Sequence, residues 1–206
     1  MSCSWLKPPR LRSRTGIRAQ TYLTLIGLLA ATGLRPSEAI GLNRSDVDLV
    51  NGILSIRESK FGKSRFVPIE ESTRAALERY SRCRDQIFSL RLSEAFLVGE
   101  RGMRLDADSA RRMFVRMSRA VGLRATREDG RAGHGPRLQD FRHSFATGRL
   151  VEWYRAGLDV SWELPKLATY LGHVDVGLTY WYIEAVPELL QLAATYLGQE
   201  RPGEQP

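Results

Sequence analysis

The chain has 206 residues, which suits one domain, and its hydrophobic fraction of 43% is enough to build a buried core. Lysine and arginine outnumber aspartate and glutamate by 31 to 23, and the resulting charge of +8 favours a polyanionic partner. Two cysteines and three dispersed histidines exclude a disulfide framework and give no pattern for a metal site. No apolar run reaches the roughly 20 residues of a membrane helix, so we expect a soluble, cytoplasmic protein.

The first part of the chain predicts a basic tail and two helices. Residues 1–18 are basic and contain two prolines, which is typical of a tail or a linker remnant. Apolar spacing predicts a buried helix over 19–31. Pro36 favours the first position of a second helix that runs through Leu42.

A β-hairpin is predicted next. β-branched residues indicate strands at 52–57 and 65–69, joined by a turn that pivots on Gly62. Pro68 lacks a backbone donor, so we expect it on a sheet edge. A third short strand is predicted over 95–98.

The remaining pattern is mostly helical. Helices are predicted over 72–90 with Ser72 as the cap, then over 108–121, 136–154, 162–171, 176–183 and 187–197. Pro165 must lie in the first turn of its helix or kink it. Residues 199–206 form a polar tail. The predicted fold class is mainly α with one small antiparallel β-sheet, an α+β domain.

Short motifs follow one another along this pattern in a fixed order. They are Ala31-Thr-Gly-Leu-Arg-Pro-Ser-Glu-Ala, Ser59-Lys-Phe-Gly-Lys-Ser-Arg-Phe-Val-Pro, Asp140-Phe-Arg-His-Ser-Phe-Ala-Thr, Leu171-Gly-His and a tyrosine at 182. Each is weak alone, but the ordered set resembles the tyrosine recombinases, the family of phage lambda integrase and the bacterial Xer proteins. The resemblance covers about 19–198 and implies the catalytic-domain fold. It leaves no room for the N-terminal core-binding domain of the family, so we expect that domain to be absent.

The resemblance implies two catalytic arginines, Arg35 and Arg142. Arg35 precedes a helix with Glu38 three residues later, a spacing that can hold the guanidinium in place. A fixed guanidinium binds two phosphate oxygens at once. The family usually has histidine one turn before the second arginine, whereas this chain has Gln139. A glutamine can donate a hydrogen bond to a phosphate oxygen but carries no charge or proton to transfer.

The resemblance also implies roles for Lys60, His173 and Tyr182. Lys60 would protonate the departing 5′ oxygen of DNA, and Lys63 in the same turn competes for that role. His173 would donate a hydrogen bond to a nonbridging phosphate oxygen. Tyr182 lies nine residues after His173, the usual family interval to the nucleophile, and Tyr180 is its competitor.

Together these groups imply strand cleavage and rejoining through a 3′-phosphotyrosyl intermediate. A phenol has a pKa of about 10, so it needs cations that stabilise the phenolate and the transition state. We expect no metal and no cofactor, because the covalent link conserves the bond energy. The expected partner is double-stranded DNA. The family acts as a tetramer on two duplexes, with 187–197 as the candidate segment that contacts a neighbouring subunit.

Two alternatives remain open at this point. Type IB topoisomerases use a similar set of groups to relax DNA, although the Leu-Gly-His run favours a recombinase. A degenerate integrase that binds DNA without cutting it is suggested by Gln139 and by the missing N-terminal domain.

Overall fold

The computed structural model describes residues 16–57, 64–90, 92–125 and 135–172. Within these ranges the helices are α1 Ile17–Thr32, α2 Pro36–Gly41, α3 Glu71–Ile87, α4 Ala107–Ala120, α5 Asp140–Arg155 and α6 Val160–Leu171, and the strands are β1 Val47–Asp48, β2 Ile53–Ile56 and β3 Arg65–Pro68. The predicted fold class, mainly α with one small antiparallel sheet, is confirmed. None of the described helices is both long and apolar enough to cross a membrane.

The sheet has the order β1-β2-β3, and both pairs of strands are antiparallel. Leu54 lies opposite Val47 on one side and Val67 on the other, and all three side chains are buried on the face that meets the helices. Pro68 ends the edge strand β3, where a missing donor costs little. The predicted hairpin is therefore confirmed in its strands, while its turn lies outside the described residues.

The predicted third strand at 95–98 is wrong. This segment makes only isolated bridges, Asn43 with Ala95 and Val98 with Arg104. Side chains take up part of its backbone, since the Tyr80 hydroxyl accepts from the Val98 amide at 3.0 Å and Arg84 donates to the Phe96 carbonyl at 2.8 Å. The third strand of the sheet is β1, which the sequence pattern did not reveal.

The starts of α3, α5 and α6 are among those that differ from the prediction. Helix α3 begins after Glu70, so Ser72 is not its cap. Helix α5 begins at Asp140 rather than at residue 136. Helix α6 begins earlier than predicted because the Asp159 carboxylate accepts from two amides of the first turn. Pro165 consequently lies inside the helix, beyond its first turn.

Two hydrophobic clusters build the core. The larger one joins α1, α3, α4 and the sheet, and the smaller one joins α5 and α6. Helix α1 packs against both α3 and α5, and β3 packs against α6. The end of α1, the edge strand and the end of α6 therefore meet where the two clusters adjoin.

Candidate functional site

The turn after α1 positions Arg35. Gly33 ends α1 in the left-handed conformation at φ +61°, and its amide donates to the carbonyl of Leu29. Arg35 is extended and precedes Pro36, the first residue of α2. The Glu38 carboxylate accepts from the Arg35 amide at 2.9 Å and from Nη1 of the same residue at 2.9 Å. The ion pair that the sequence predicts is therefore present, and Glu38 also caps the helix.

Glu38 is shared with a second arginine that the sequence analysis missed. Arg65 of β3 donates through Nη1 to Oε1 and through Nη2 to Oε2, each at 3.0 Å. Its Nε donates to the carbonyl of Tyr170 at 2.8 Å. The only signal in the sequence is a lone arginine at the start of a short strand, inside the motif that contains Lys60.

The surroundings of Glu38 keep it ionised. Burial would raise the pKa of this carboxyl, but the hydrogen bonds and charges of Arg65 and Arg35 outweigh the burial, so the pKa is lowered. The carboxylate accepts four hydrogen bonds, two on each oxygen. A carboxylate in this state is a rigid anionic anchor for the two guanidinium groups.

Arg35 is anchored along one edge only. Its side chain is 22% exposed, whereas those of Arg65 and Glu38 are 10% and 5% exposed. Within the ranges that the structure describes, only Nη1 of its guanidinium has a hydrogen-bond partner, and Nε and Nη2 have none. A planar fork held at one edge and open at the other can receive a phosphate.

Arg142 is held differently. Its side chain is buried at 3% exposure on α5, and it donates through Nη1 to the carbonyl of Gly33 at 3.0 Å and through Nη2 to that of Leu171 at 2.7 Å. Both carbonyls close helices, α1 and α6, where the backbone leaves acceptors unpaired. Arg142 therefore ties together the turn that carries Arg35 and the end of α6.

Gln139 differs from Arg142 in exposure. It is exposed at the position before α5, whereas Arg142 is buried one turn later. Gln139 lines a cleft of about 690 Å³ between the start of α2, the face of α4 and the segment that leads into α5. Pro36, next to Arg35 in the chain, lines the same cleft, so Gln139 faces the space beside the first arginine.

Several predicted site residues lie outside the described residues. They are Lys60 and its competitor Lys63, His173, Tyr182 and its competitor Tyr180, and the segment 187–197. Their neighbours in the chain do lie at the site, because Lys60 lies five residues before Arg65 and His173 follows Gly172 directly. The structure therefore brings together Arg35, Glu38 and Arg142. It also places beside them Arg65 and Gly172, the described residues near Lys60 and His173 in the chain.

Two tyrosines of the described ranges, the buried Tyr80 and the partly buried Tyr170, are poor nucleophiles. Burial raises the pKa of Tyr80, whose hydroxyl lies 3.1 Å from Thr21 Oγ1 and accepts the Val98 amide. Burial also raises the pKa of Tyr170 to about 12, and its hydroxyl donates to the Pro68 carbonyl at 3.3 Å. Neither phenol can ionise readily near neutral pH.

Helix α4 presents a basic surface beside the cleft, which the sequence analysis also missed. Ala110, Met113 and Met117 are buried on one side, while Arg111, Arg112 and Arg116 are exposed on the other. This is the helical period of an amphipathic helix whose polar side carries cations. Arg111 lines the cleft, so the basic surface continues toward Gln139.

Known proteins resemble this chain along most of its length. Residues 12–188 match the profile of the Phage integrase family. The putative integrase/recombinase y4rB of Sinorhizobium fredii is 44% identical over 189 residues, which are 91% of this chain and 59% of that protein. The tyrosine recombinase XerA of Thermococcus kodakarensis is 31% identical over 169 residues, which are 82% of this chain and 52% of that protein. The chain therefore spans between half and three fifths of the length of these relatives.

Solved structures share the fold. The crystal structure of XerA recombinase matches with a TM-score of 0.67 and 26% identity. The match covers 90% of this chain and 60% of the XerA chain. XerH site-specific recombinase, bound to its difH substrate after cleavage, matches with a TM-score of 0.63 and 23% identity over 87% of this chain and 46% of its own.

Proposed function

Because the chain belongs to the phage integrase family of tyrosine recombinases, we propose that it cuts and rejoins DNA strands through a covalent 3′-phosphotyrosyl link. The observation that carries the proposal is the anchoring of Arg35, whose guanidinium is fixed by Glu38 along one edge and open along the other. A preorganised cation of this kind stabilises charge that develops on a phosphate in the transition state.

The proposed nucleophile is Tyr182. Its hydroxyl gives its proton to water as its oxygen forms a bond to phosphorus, the bond from phosphorus to the 5′ oxygen breaks, and the departing oxygen takes a proton from Lys60. A 5′ hydroxyl from a partner strand then attacks the phosphotyrosine and returns a proton to Lys60, while the bond from phosphorus to the tyrosine oxygen breaks and the phenolate takes a proton from water. The phosphoester energy is conserved throughout, so the chain needs no nucleotide for this step.

The other site residues act on the same phosphate in this proposal. Arg35 and Arg142 neutralise its nonbridging oxygens, His173 donates a hydrogen bond to one of them, and Gln139 orients it with a neutral amide. Arg142 also holds the carbonyls of Gly33 and Leu171, so it fixes the turn before Arg35 and the residue next to Gly172.

The proposed substrate is double-stranded DNA. The net charge of +8 and the exposed arginines of α4 beside the Gln139 cleft support it, because each phosphate that a cation neutralises releases a counterion. We also propose the assembly that the family resemblance implies, a tetramer on two duplexes in which 187–197 contacts a neighbouring subunit. We propose a cytoplasmic location for the protein.

Trapping of the covalent intermediate tests the proposal. The full chain is incubated with a randomised pool of nicked duplexes, in which the short fragment that carries the new 5′ hydroxyl diffuses away and rejoining fails. Protein-linked DNA is then isolated under denaturing conditions. We expect an adduct on the peptide that contains Tyr182, abolished by Tyr182→Phe and retained by Tyr180→Phe. DNA binding without an adduct would overturn the proposal that the chain cleaves DNA. An adduct on Tyr180 would overturn the assignment of Tyr182 as the nucleophile.

A further inference from the structure

Arg65 occupies the point where three parts of the site meet. It lies on β3, the strand that follows the turn with Lys60, and it contacts Glu38 of α2 and the end of α6. We propose that Arg65 is a positioning residue for strand cleavage, which holds Glu38 so that Arg35 presents its open edge to the DNA phosphate. The inference rests on the proposed function of the site.

The contact with Glu38 fixes the orientation of the carboxylate. Arg35 alone reaches Glu38 with one side-chain nitrogen and its own amide, so a rotation of the carboxylate would carry the guanidinium with it. Arg65 binds both carboxylate oxygens in a parallel fork, which sets the plane of the group. With that plane set, each oxygen has one place left for Arg35.

The end of α6 in turn fixes Arg65. Its Nε donates to the carbonyl of Tyr170, and its guanidinium lies against Gly172. A Cβ atom at Gly172 would lie 2.8 Å from Nη1 and 2.9 Å from Cζ of Arg65. The glycine of the Leu-Gly-His motif is therefore required twice, for its φ of +72° and for the space that Arg65 fills.

A lysine in place of Arg65 would keep the positive charge but lose the set of hydrogen bonds that the guanidinium makes to Glu38 and Tyr170. One ammonium cannot span both oxygens of Glu38 and also reach the Tyr170 carbonyl on the other side. Each nitrogen of the Arg65 guanidinium is bound to an acceptor of the protein, so we expect its effect on DNA to pass through Arg35 and not through a contact of its own. This predicts slower chemistry with unchanged DNA affinity.

A double-mutant cycle on the single-turnover rate of adduct formation tests the inference. We expect Arg65→Lys to slow cleavage on the order of 10- to 100-fold, the scale of a small misplacement of a catalytic group. If Arg65 acts through Arg35, the double variant Arg65→Lys with Arg35→Lys should match Arg35→Lys alone within about twofold. Losses that multiply in the double variant would show that Arg65 acts independently of Arg35 and would overturn the inference.

Arg74→Lys is the matched control. Arg74 also makes a fork to a glutamate, Glu71, and donates to a backbone carbonyl, that of Leu49, but it belongs to α3 and lines none of the site. Wild-type cleavage in Arg74→Lys with slow cleavage in Arg65→Lys supports positioning. Equal losses in both would indicate a general effect of removing a guanidinium fork, against the inference.

Amide hydrogen exchange tests the same link without any activity. The Arg35 amide donates to Glu38, so Arg65→Lys should speed its exchange while amides in the middle of α3 keep their wild-type rates. If Arg65→Lys does not fold, Glu38→Asp replaces it, because the shorter carboxylate cannot reach both arginines. Unchanged exchange at Arg35 overturns the inference. An inactive wild type with this exchange response would reject the proposed function and leave the link between Arg65 and Arg35 standing.

Discussion

Arg35 and Arg142 carry the same guanidinium group on two sides of one site, but the protein holds them by different means. A buried carboxylate holds Arg35 along one edge and leaves two nitrogens without a partner in the described ranges. Two helix-ending carbonyls hold Arg142, which is buried. The first anchor is electrostatic and leaves the cation open to a ligand. The second makes the cation part of the framework, so its removal should cost stability as well as activity.

Removal of Arg142 is expected to give the largest loss of stability. Arg142→Leu would leave the carbonyls of Gly33 and Leu171 buried without a donor, at about 3–5 kcal/mol in total. Arg35→Leu should cost less than about 1 kcal/mol, because Glu38 keeps its fork with Arg65. Denaturant unfolding of both variants measures the difference. Equal losses would erase the distinction between the two anchors.

Substitution of Gly33 tests whether the framework around Arg142 is tightly packed. In Gly33→Ala the new Cβ would lie 2.6 Å from Cδ1 of Phe145, at a backbone φ of +61°. We expect a loss of about 2–4 kcal/mol from strain and overpacking. Gly27→Ala is the control, because it lies inside the same helix with open space around it and should stabilise by up to about 1 kcal/mol. A tolerated Gly33→Ala would contradict the packing.

Neutralisation of Glu38 should remove the electrostatic anchor. Glu38→Gln is expected to lower stability by about 2 kcal/mol at neutral pH, because two guanidinium groups then face an uncharged amide. The folded pKa of Glu38 is lowered, so its stabilisation is present above the ordinary value of 4.5 and is lost as the pH falls through the folded pKa.

Unfolding as a function of pH therefore distinguishes wild type from Glu38→Gln. Their free energies of unfolding should converge on acidification below the ordinary carboxyl pKa. A constant difference across that range would mean that the charge of Glu38 does not hold the arginines.

The smallest effect is expected at Gln139. Gln139→His restores the residue that the family usually has and should leave the cleavage rate unchanged or raise it. It should also introduce a pH dependence near the imidazole pKa of about 6.5. Adduct formation across pH measures this. Loss of adduct formation in Gln139→His, while the wild type forms the adduct, would mean that Gln139 does not face the phosphate.

The sequence predicted the local features of the fold well. Apolar spacing located α1 and α4 to within about two residues, and Pro36 marked the first residue of α2. The errors arose where a distant group decides the structure. Side chains from α1 and α3 bond the backbone of 95–98, and nothing within that segment indicates them.

The site was predictable only in part for the same reason. The Arg35 and Glu38 pair lies within one helical turn, so its spacing revealed it. Arg65 reaches Glu38 across 27 positions and Tyr170 across 105, and such separations leave no local pattern. The burial of Arg142 was hidden too, because its partners are backbone carbonyls, which every residue has.

The most direct measurement is the single-turnover cleavage rate of Arg35→Lys, made on protein whose unfolding free energy is measured in parallel. The central claim is that Glu38 holds Arg35 for a phosphate and that Arg35 carries little of the fold. We therefore expect wild-type stability with cleavage about 10²-fold slower, the scale for loss of a transition-state donor. A wild-type cleavage rate in this variant, or a large loss of stability, would contradict the claim.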